Sequence, residues 1–510
     1  MPVRNQIVNR SRRRRPTPTV FEEPVDVVYF QGGRYRPLSG YDCDRIIDSA
    51  FAILQTVGIA DASEWLSKLL IAHGAHQKEN GRLTFSPSYI EKVLQRGSTR
   101  VSLPGFDENL GLEIGHGYVH IGTGGAAVQT LDAINGEYRE SRLSDLFDMM
   151  RVLDRCGHVH YGVRPMVACD MATPLDLDIN TAYACLRATT KPIGMSFENA
   201  SHVPKVIGLF DLALGGVERF RRQPFCFAVI VHVVSPLSFA REGVDIMRAA
   251  IEAGMPLQIC NAGQAGATSP ASLAGALAQG LAESLAGAVV VDAIKPGHPC
   301  IYAFLPFISD LRTGAMTGGS GESAVANAAA AQLLRRLEMP ATVSAGMTDS
   351  KVEDVQAGYE KGYSIALAAQ AGADMINLSV GMLGSIMVAS TESLLIDNDM
   401  CGAILRTVRG IEIRDDFFDI ESIERVVSGD GHYLGEPQTL QLMKTEYVYP
   451  NLGDRKSVAD WLDTGSESIW HRAQKRVQNI LAENESTHLN PQRDRKIRQS
   501  FNIKLPGAND

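Results

Sequence analysis

A chain of 510 residues, 45% hydrophobic and 21% charged, has the length for two to four domains or one large barrel with extensions, and the balance of a folded protein with a sizeable core. Disordered, fibrous and peptide-sized readings are excluded. With 58 acidic against 49 basic residues the formal charge is −9, and nothing in that balance argues for nucleic acid.

Residues 1–20 carry Arg4, Arg10 and Arg12 to Arg15 with no apolar segment behind them, which reads as a flexible Arg-rich arm rather than a secretory signal. A solvated arm and a contact with an acidic partner or a second subunit are both open to it. LSGYDCDRIIDSAFAILQTVG (38–58) sets Ile46, Ala50, Ile53, Leu54 and Val57 on one stripe that stops at a glycine, the pattern of an amphipathic helix. A second helix is expected over 62–73, and SPSYIEKVLQRG, from Ser86 to Gly97, begins with a cap and a proline and ends at a glycine. An N-terminal helical module is therefore expected over 38–115.

Beyond Gly115 short apolar runs alternate with helical periods. The strand candidates are VHIGT (119–123), HVHYGV (158–163), PIGMSF (192–197), FCFAVIV (225–231), LQICNA (257–262), CIYAFL (300–305), TVSAG (342–346) and MINLSV (375–380). Helical stretches follow at 143–154, 179–188, 203–214, 242–253, 273–290, 323–337, 354–371 and 392–408. Runs apolar on both faces suit buried parallel strands, and eight such units over 116–410 predict an α/β fold, a closed (β/α)8 TIM barrel. The runner-up, an open doubly wound sheet, wants a GxGxxG turn after a strand, which is not found in that context. QTLDAINGEYRES (129–141), with its Asn135-Gly136 turn, predicts an inserted hairpin. The more charged residues 411–510 form a C-terminal helical extension with a helix over 467–484. No transmembrane helix is proposed, since stretches such as 225–234 are too short to span a bilayer. Cys43, Cys156, Cys169, Cys185, Cys226, Cys260, Cys300 and Cys401 lie far apart with no CxxC spacing, which reads as scattered buried thiols in a reducing, cytoplasmic compartment.

In a barrel of this kind the site lies at the carboxyl ends of the strands, which here carry Arg164, Glu198, His232, Asn261, Phe304, Phe307, Asp310, Arg312, Met347 and Asp349. The sixth loop, LPFISDLRTGAMTGGSGE (305–322), joins aromatics, an Asp, an Arg, glycines and Glu322 at the start of the next helix. Each has a plainer structural reading too. Glu322 suits a first helical turn, Asp310 and Arg312 suit loop hydrogen bonds, His232 suits a core edge, and Phe304 and Phe307 suit ordinary packing. No Cys/His cluster stands at a strand end for zinc, and no metal site is expected. GxSxG is present only in part at Gly319-Ser320-Gly321, and Lys295 precedes a strand rather than ending one, so neither a serine elbow nor a Schiff base is supported.

DLRTGAMTGGSGES (310–323), SAGMTDSKVEDVQAGYEKG (344–362) and ESLLIDNDMCGAILRTVRGI (392–411) resemble the trimethylamine:corrinoid methyltransferase family. GHYLGEPQTL (431–440), EYVYPNLGDR (446–455) and the Trp461 and Gly465 region are similar to its C-terminal signature, and LSGYDCDRIIDSAFAILQTVGI to its N-terminal part, so the likeness covers about residues 38 to 485. It implies a (β/α)8 barrel that moves a methyl group from a methylated amine to the Co(I) of a separate corrinoid protein. The founding members hold pyrrolysine in the barrel. This chain has standard residues throughout, which makes it resemble the pyrrolysine-free branch known for glycine betaine and similar quaternary amines.

On that basis the expected substrate is a quaternary amine. The alternatives are a tertiary amine of the trimethylamine type and a binding relative without turnover. Tyr302, Phe304 and Phe307 are the candidates for a cage around the cation, and Arg312 or His232 for a substrate carboxylate. Asp310, Glu322 or Asp349 would manage a proton if the amine were tertiary. No tightly bound cofactor is expected, the corrinoid (cobalamin) arriving on its partner protein at an open barrel mouth. No nucleic acid or membrane partner is expected, and a homo-oligomer is.

Overall fold

The eight apolar runs form eight parallel strands: β1 (His120–Ile121), β2 (Gly162–Val163), β3 (Ile193–Met195), β4 (Cys226–Val231), β5 (Leu257–Asn261), β6 (Cys300–Phe304), β7 (Ala341–Ser344) and β8 (Met375–Asn377). The computed structural model describes residues 31–429, 431–483 and 488–507, so the Arg-rich arm and position 484 lie outside the described residues. The strands pair in the order β1-β8-β7-β6-β5-β4-β3-β2. A parallel bridge between Gly122 and Tyr161, beside a 2.7 Å hydrogen bond from the His160 amide to the Ile121 carbonyl, joins β2 back to β1 and closes the cylinder. The fold is thus the (β/α)8 barrel expected from the alternating pattern.

Each strand is followed by a helix: α1 (Leu143–Asp154), α2 (Pro174–Ala188), α3 (Val203–Leu214), α4 (Arg241–Ala253), α5 (Leu273–Ile294), α6 (Gly321–Arg336), α7 (Val355–Ala371) and α8 (Thr391–Arg409). Five of the eight starts are fixed by side-chain caps, with Thr173, Ser272, Ser320, Asp354 and Ser390 accepting from backbone amides of the first turn. By length and composition α5 is apolar enough to cross a membrane, yet 89% of its most apolar window is buried. It lies against β5 and β6 on one side and helices Gly40–Thr56 and Pro87–Arg96 on the other. A helix enclosed in this way needs no polar face.

The floor of the barrel is sealed by a hairpin, Val101–Leu103 with Leu112–Ile114, whose apolar side chains pack on Tyr161, Val163, Phe227, Ile301 and Met375. The opposite end is built up by short strands in the loops. The expected hairpin, Gln129–Leu131 with Tyr138–Glu140, is joined by Met382–Leu383 and Val388–Ala389 in a four-stranded sheet. Gln264–Ala265, Phe307–Ser309 and Met316–Thr317 make a three-stranded sheet over the fifth and sixth loops. These pieces of two or three residues are too short to leave a periodic signature. Beyond α8, helix Ile469–Ala482 packs on α8 and α1, and helix Pro491–Ser500 on α3. Seven of the eight cysteines are buried as expected, whereas Cys169, on the loop after β2, is exposed.

Candidate active site

The lumen is set by the alternation of side chains along each strand. On β4, Phe227 and Val229 face inward, and Cys226, Ala228 and Ile230 face the helices. The inward set forms tiers. Above the sealed floor lies a polar tier in which Tyr161 Oη is 2.6 Å from Asn377 Oδ1, Asn377 Nδ2 donates to Gln258 Oε1 at 2.7 Å, and Gln258 Nε2 donates to Thr342 Oγ1 at 3.0 Å. Gly122 makes room for this tier, since a Cβ there would stand 2.2 Å from the Tyr161 ring. Above it Cys260, Ala303 and Leu305 form an apolar wall, with Val229, Ala262 and Phe307 packed on it. Burial pushes the Cys260 thiol up to about 12, so it stands in the lumen as a neutral, unactivated group. Val231, 55% exposed, marks the opening.

The aromatics expected to form a cage separate here. Phe307 is half-buried on the apolar wall, at the mouth. Tyr302 and Phe304 do not reach the lumen and leave the cage: they share the face of Cys300, which points into the layer between the barrel and α5. Phe304 fills a notch at Gly280, where a Cβ would stand 2.2 Å from its ring. His232 takes a second notch one heptad on, at Gly287, and its Nε2 donates to the Glu283 carbonyl at 2.9 Å. Burial pulls its pKa down to about 4, so it is neutral near pH 7 and cannot serve as a cationic partner for a carboxylate.

The charged candidates sit on the rim. Arg312 extends from the tip of the sixth loop, its side chain 88% exposed, and binds Asp310 through two contacts of 2.9 and 2.7 Å. Those hydrogen bonds hold the Asp310 carboxyl down at about 2. Glu322 is exposed in the first turn of α6, the plainer of its two readings. Asp349 is half-buried and accepts from Thr317 Oγ1, from the amides of Gly318 (2.8 Å) and Gly319 (3.4 Å), and from Ser385 Oγ. Burial by itself raises its pKa, and the Ser385, Thr317 and glycine donors outweigh that and hold the carboxyl below its usual range. With its acceptor sites occupied, Asp349 clamps the sixth, seventh and eighth loops together rather than offering a free base.

Tyr161, Gln258, Thr342 and Asn377 were not among the residues expected from sequence. Their signal was a polar side chain inside an otherwise apolar strand run, as in LQICNA and MINLSV. Among the described residues, no group of three or more His, Cys, Asp or Glu could hold a metal. The site is therefore an apolar cup over a neutral polar tier, with Phe307 at its edge and Asp310, Arg312, Glu322 and Asp349 on the rim.

Residues 7–504 match the family model described as Trimethylamine methyltransferase (MTTB). The chain is 28% identical to a glycine betaine methyltransferase of Desulfitobacterium hafniense over 476 residues, covering 92% of this chain and 96% of that one. It is 29% identical over 447 residues to the trimethylamine methyltransferase MttB of Methanosarcina barkeri, covering 85% and 88%. Among solved structures, the monomethylamine methyltransferase MtmB of Methanosarcina barkeri aligns with a TM-score of 0.44 at 11% identity, over 86% of this chain and 94% of that one. The chain belongs to the trimethylamine methyltransferase family and is, with that family, a methyltransferase.

Proposed function

We propose that the protein takes a methyl group from a quaternary amine of the glycine betaine type and passes it to the Co(I) of a separate corrinoid protein docked at the barrel mouth. The observation that carries this reading is the chemistry of the cup: apolar walls over a neutral polar tier, with the rim carboxylates Asp310 and Asp349 already held by donors. In such a transfer the nucleophile's electron pair forms the new bond to the methyl carbon. The C–N bond breaks, and its electrons stay on nitrogen. A quaternary ammonium leaves as a neutral tertiary amine and needs no proton, so the protein has only to hold one methyl on an open axis. Apolar and aromatic walls bind the cation without over-stabilising a charge that fades in the transition state, which a carboxylate would do.

A tertiary amine would need a group to carry its proton. Asp310, bound to Arg312, Asp349, saturated with donors, and Glu322, solvent-exposed in the first turn of α6, are poorly suited to that, which favours the quaternary substrate. The test is anaerobic incubation of the full chain with Co(I) cobalamin and a panel of amines. Glycine betaine is expected to convert the Co(I) spectrum to that of methyl-Co(III), with trimethylamine inert. Turnover of trimethylamine alone, or silence across the panel, would overturn the proposal.

A further inference from the structure

Arg164, at the carboxyl end of β2, is a buried cation whose donors are left open. Its backbone is fixed in the barrel, the amide donating to the Gly194 carbonyl of β3 at 3.0 Å and the carbonyl accepting from the Ala126 amide at 3.3 Å. The residue is 7% exposed, yet Nε and Nη1 are enclosed without a hydrogen-bond partner among the described residues. Glu198, beyond the end of β3, and Asp178, on α2, stand beside it, and neither accepts from those two nitrogens. Glu198 is exposed to water. Asp178 is fully buried, and its Oδ2 accepts from His202 Nδ1 at 2.6 Å and from the Glu198 amide at 3.0 Å. Asp178 Oδ1 and, one turn on along the same face of α2, Thr181 Oγ1 are buried and unpartnered too. Open polar atoms from β2 and from the first two turns of α2 thus meet at one edge of the barrel mouth. A guanidinium kept in this state is strongly unfavourable unless something pairs with it.

We infer that Arg164 binds the carboxylate of the methyl donor and so selects a carboxylated quaternary amine over one without that group. The inference rests on the betaine reading above, and it fills the place that His232 and Arg312 leave empty. Arg312 is held by Asp310, Arg139 by Asp145, and Lys361 by Glu353 and Asp397, whereas Arg164 keeps its donors free. A carboxylate brings two acceptor oxygens to a fork of donors, the match that a guanidinium makes best. Burial strengthens the pairing, because little water competes for either charge. In the strand order β2 lies opposite β6, so a zwitterion anchored at Arg164 points its ammonium across the mouth toward the wall of Ala303, Leu305 and Phe307. Asp178 and Glu198 disfavour a bare anion at this edge, while a zwitterion brings its own positive charge.

Anaerobic steady-state methylation of Co(I) cobalamin by the full chain, with glycine betaine and tetramethylammonium as alternative donors, tests this, and titration calorimetry gives the same comparison as Kd. Arg164→Met is expected to raise KM and Kd for glycine betaine about 10- to 150-fold, with kcat nearly unchanged and the constants for tetramethylammonium as in the wild type. Arg164→Lys should recover part of the loss. Because Nε and Nη1 make no hydrogen bond in the folded chain, Arg164→Met should also melt no lower than the wild type in the absence of donor. Wild-type constants for glycine betaine in Arg164→Met overturn the inference and leave the betaine reading standing. A Met variant that melts lower and loses both donors alike has lost a structural residue, and overturns it as well. A wild type that neither binds nor demethylates glycine betaine overturns the inference and the betaine reading together.

Discussion

Phe307 is where the proposed chemistry meets one side chain: an aromatic ring, half-buried on the apolar wall, at the edge of the cup. A ring over a desolvated cation contributes about 0.5–2 kcal/mol, so Phe307→Ala should lower kcat/KM for a betaine by roughly 2- to 30-fold, mainly through KM. Steady-state kinetics unchanged from wild type would remove the ring from the site. Asp349 acts on geometry instead. Asn at that position keeps one carbonyl acceptor and turns an NH₂ either toward the Gly318 amide and Ser385 Oγ or toward the Gly319 amide and Thr317 Oγ1. Leaving those donors unsatisfied costs about 1–3 kcal/mol locally. Asp349→Asn should therefore speed amide hydrogen exchange over residues 316–319 and around Ser385 and reduce turnover, and wild-type exchange there would contradict the clamp.

At the level of elements, α5 decides what β4 and β6 can present. Its glycines at 280 and 287 receive Phe304 and His232, and this close approach holds both side chains on the outer face of the barrel. Gly280→Ala would place a methyl group 2.2 Å from the Phe304 ring, and the resulting overpacking should cost about 1–3 kcal/mol, read as a lower midpoint in chemical denaturation. A midpoint equal to that of wild type would mean that the notch is loose. The loop strands above the barrel belong to the same scale. They are short, pair mostly with one another, and carry Phe307 and Thr317 on a sheet fixed to the fifth loop through Gln264 Nε2 and Ser309 Oγ at 2.8 Å.

The whole barrel is sensitive to acid through its histidines. Burial pulls His120 and His232 down to about 4 and His160 well below its ordinary value, against 6.5 for an exposed imidazole. The folded state thus binds fewer protons than the unfolded chain between those limits. The stability that these neutral rings represent is complete above pH 6.5 and is lost as the pH falls through about 4. His120 and His232 can each account for up to about 3 kcal/mol. Thermal melts should fall steadily over that window, and His232→Gln, which retains a donor for the Glu283 carbonyl, should flatten the fall by one histidine's share. A variant with the wild-type slope would show that His232 does not carry it.

The amino-acid sequence by itself determined the number, order and type of the barrel elements. Eight both-face apolar runs, separated by helical periods with capping residues before them, leave little other than a closed parallel barrel, and the Asn135-Gly136 turn specified its hairpin. What the tertiary structure decided was orientation. A strand apolar on both faces, such as CIYAFL, does not say whether Tyr302 and Phe304 or Ala303 and Leu305 point inward. That depends on strand phase around the cylinder and on the glycine notches of α5, some twenty residues away in the chain. The charged rim followed the same logic: whether Asp310 and Asp349 are free or occupied depends on donors from loops that meet only after the barrel closes.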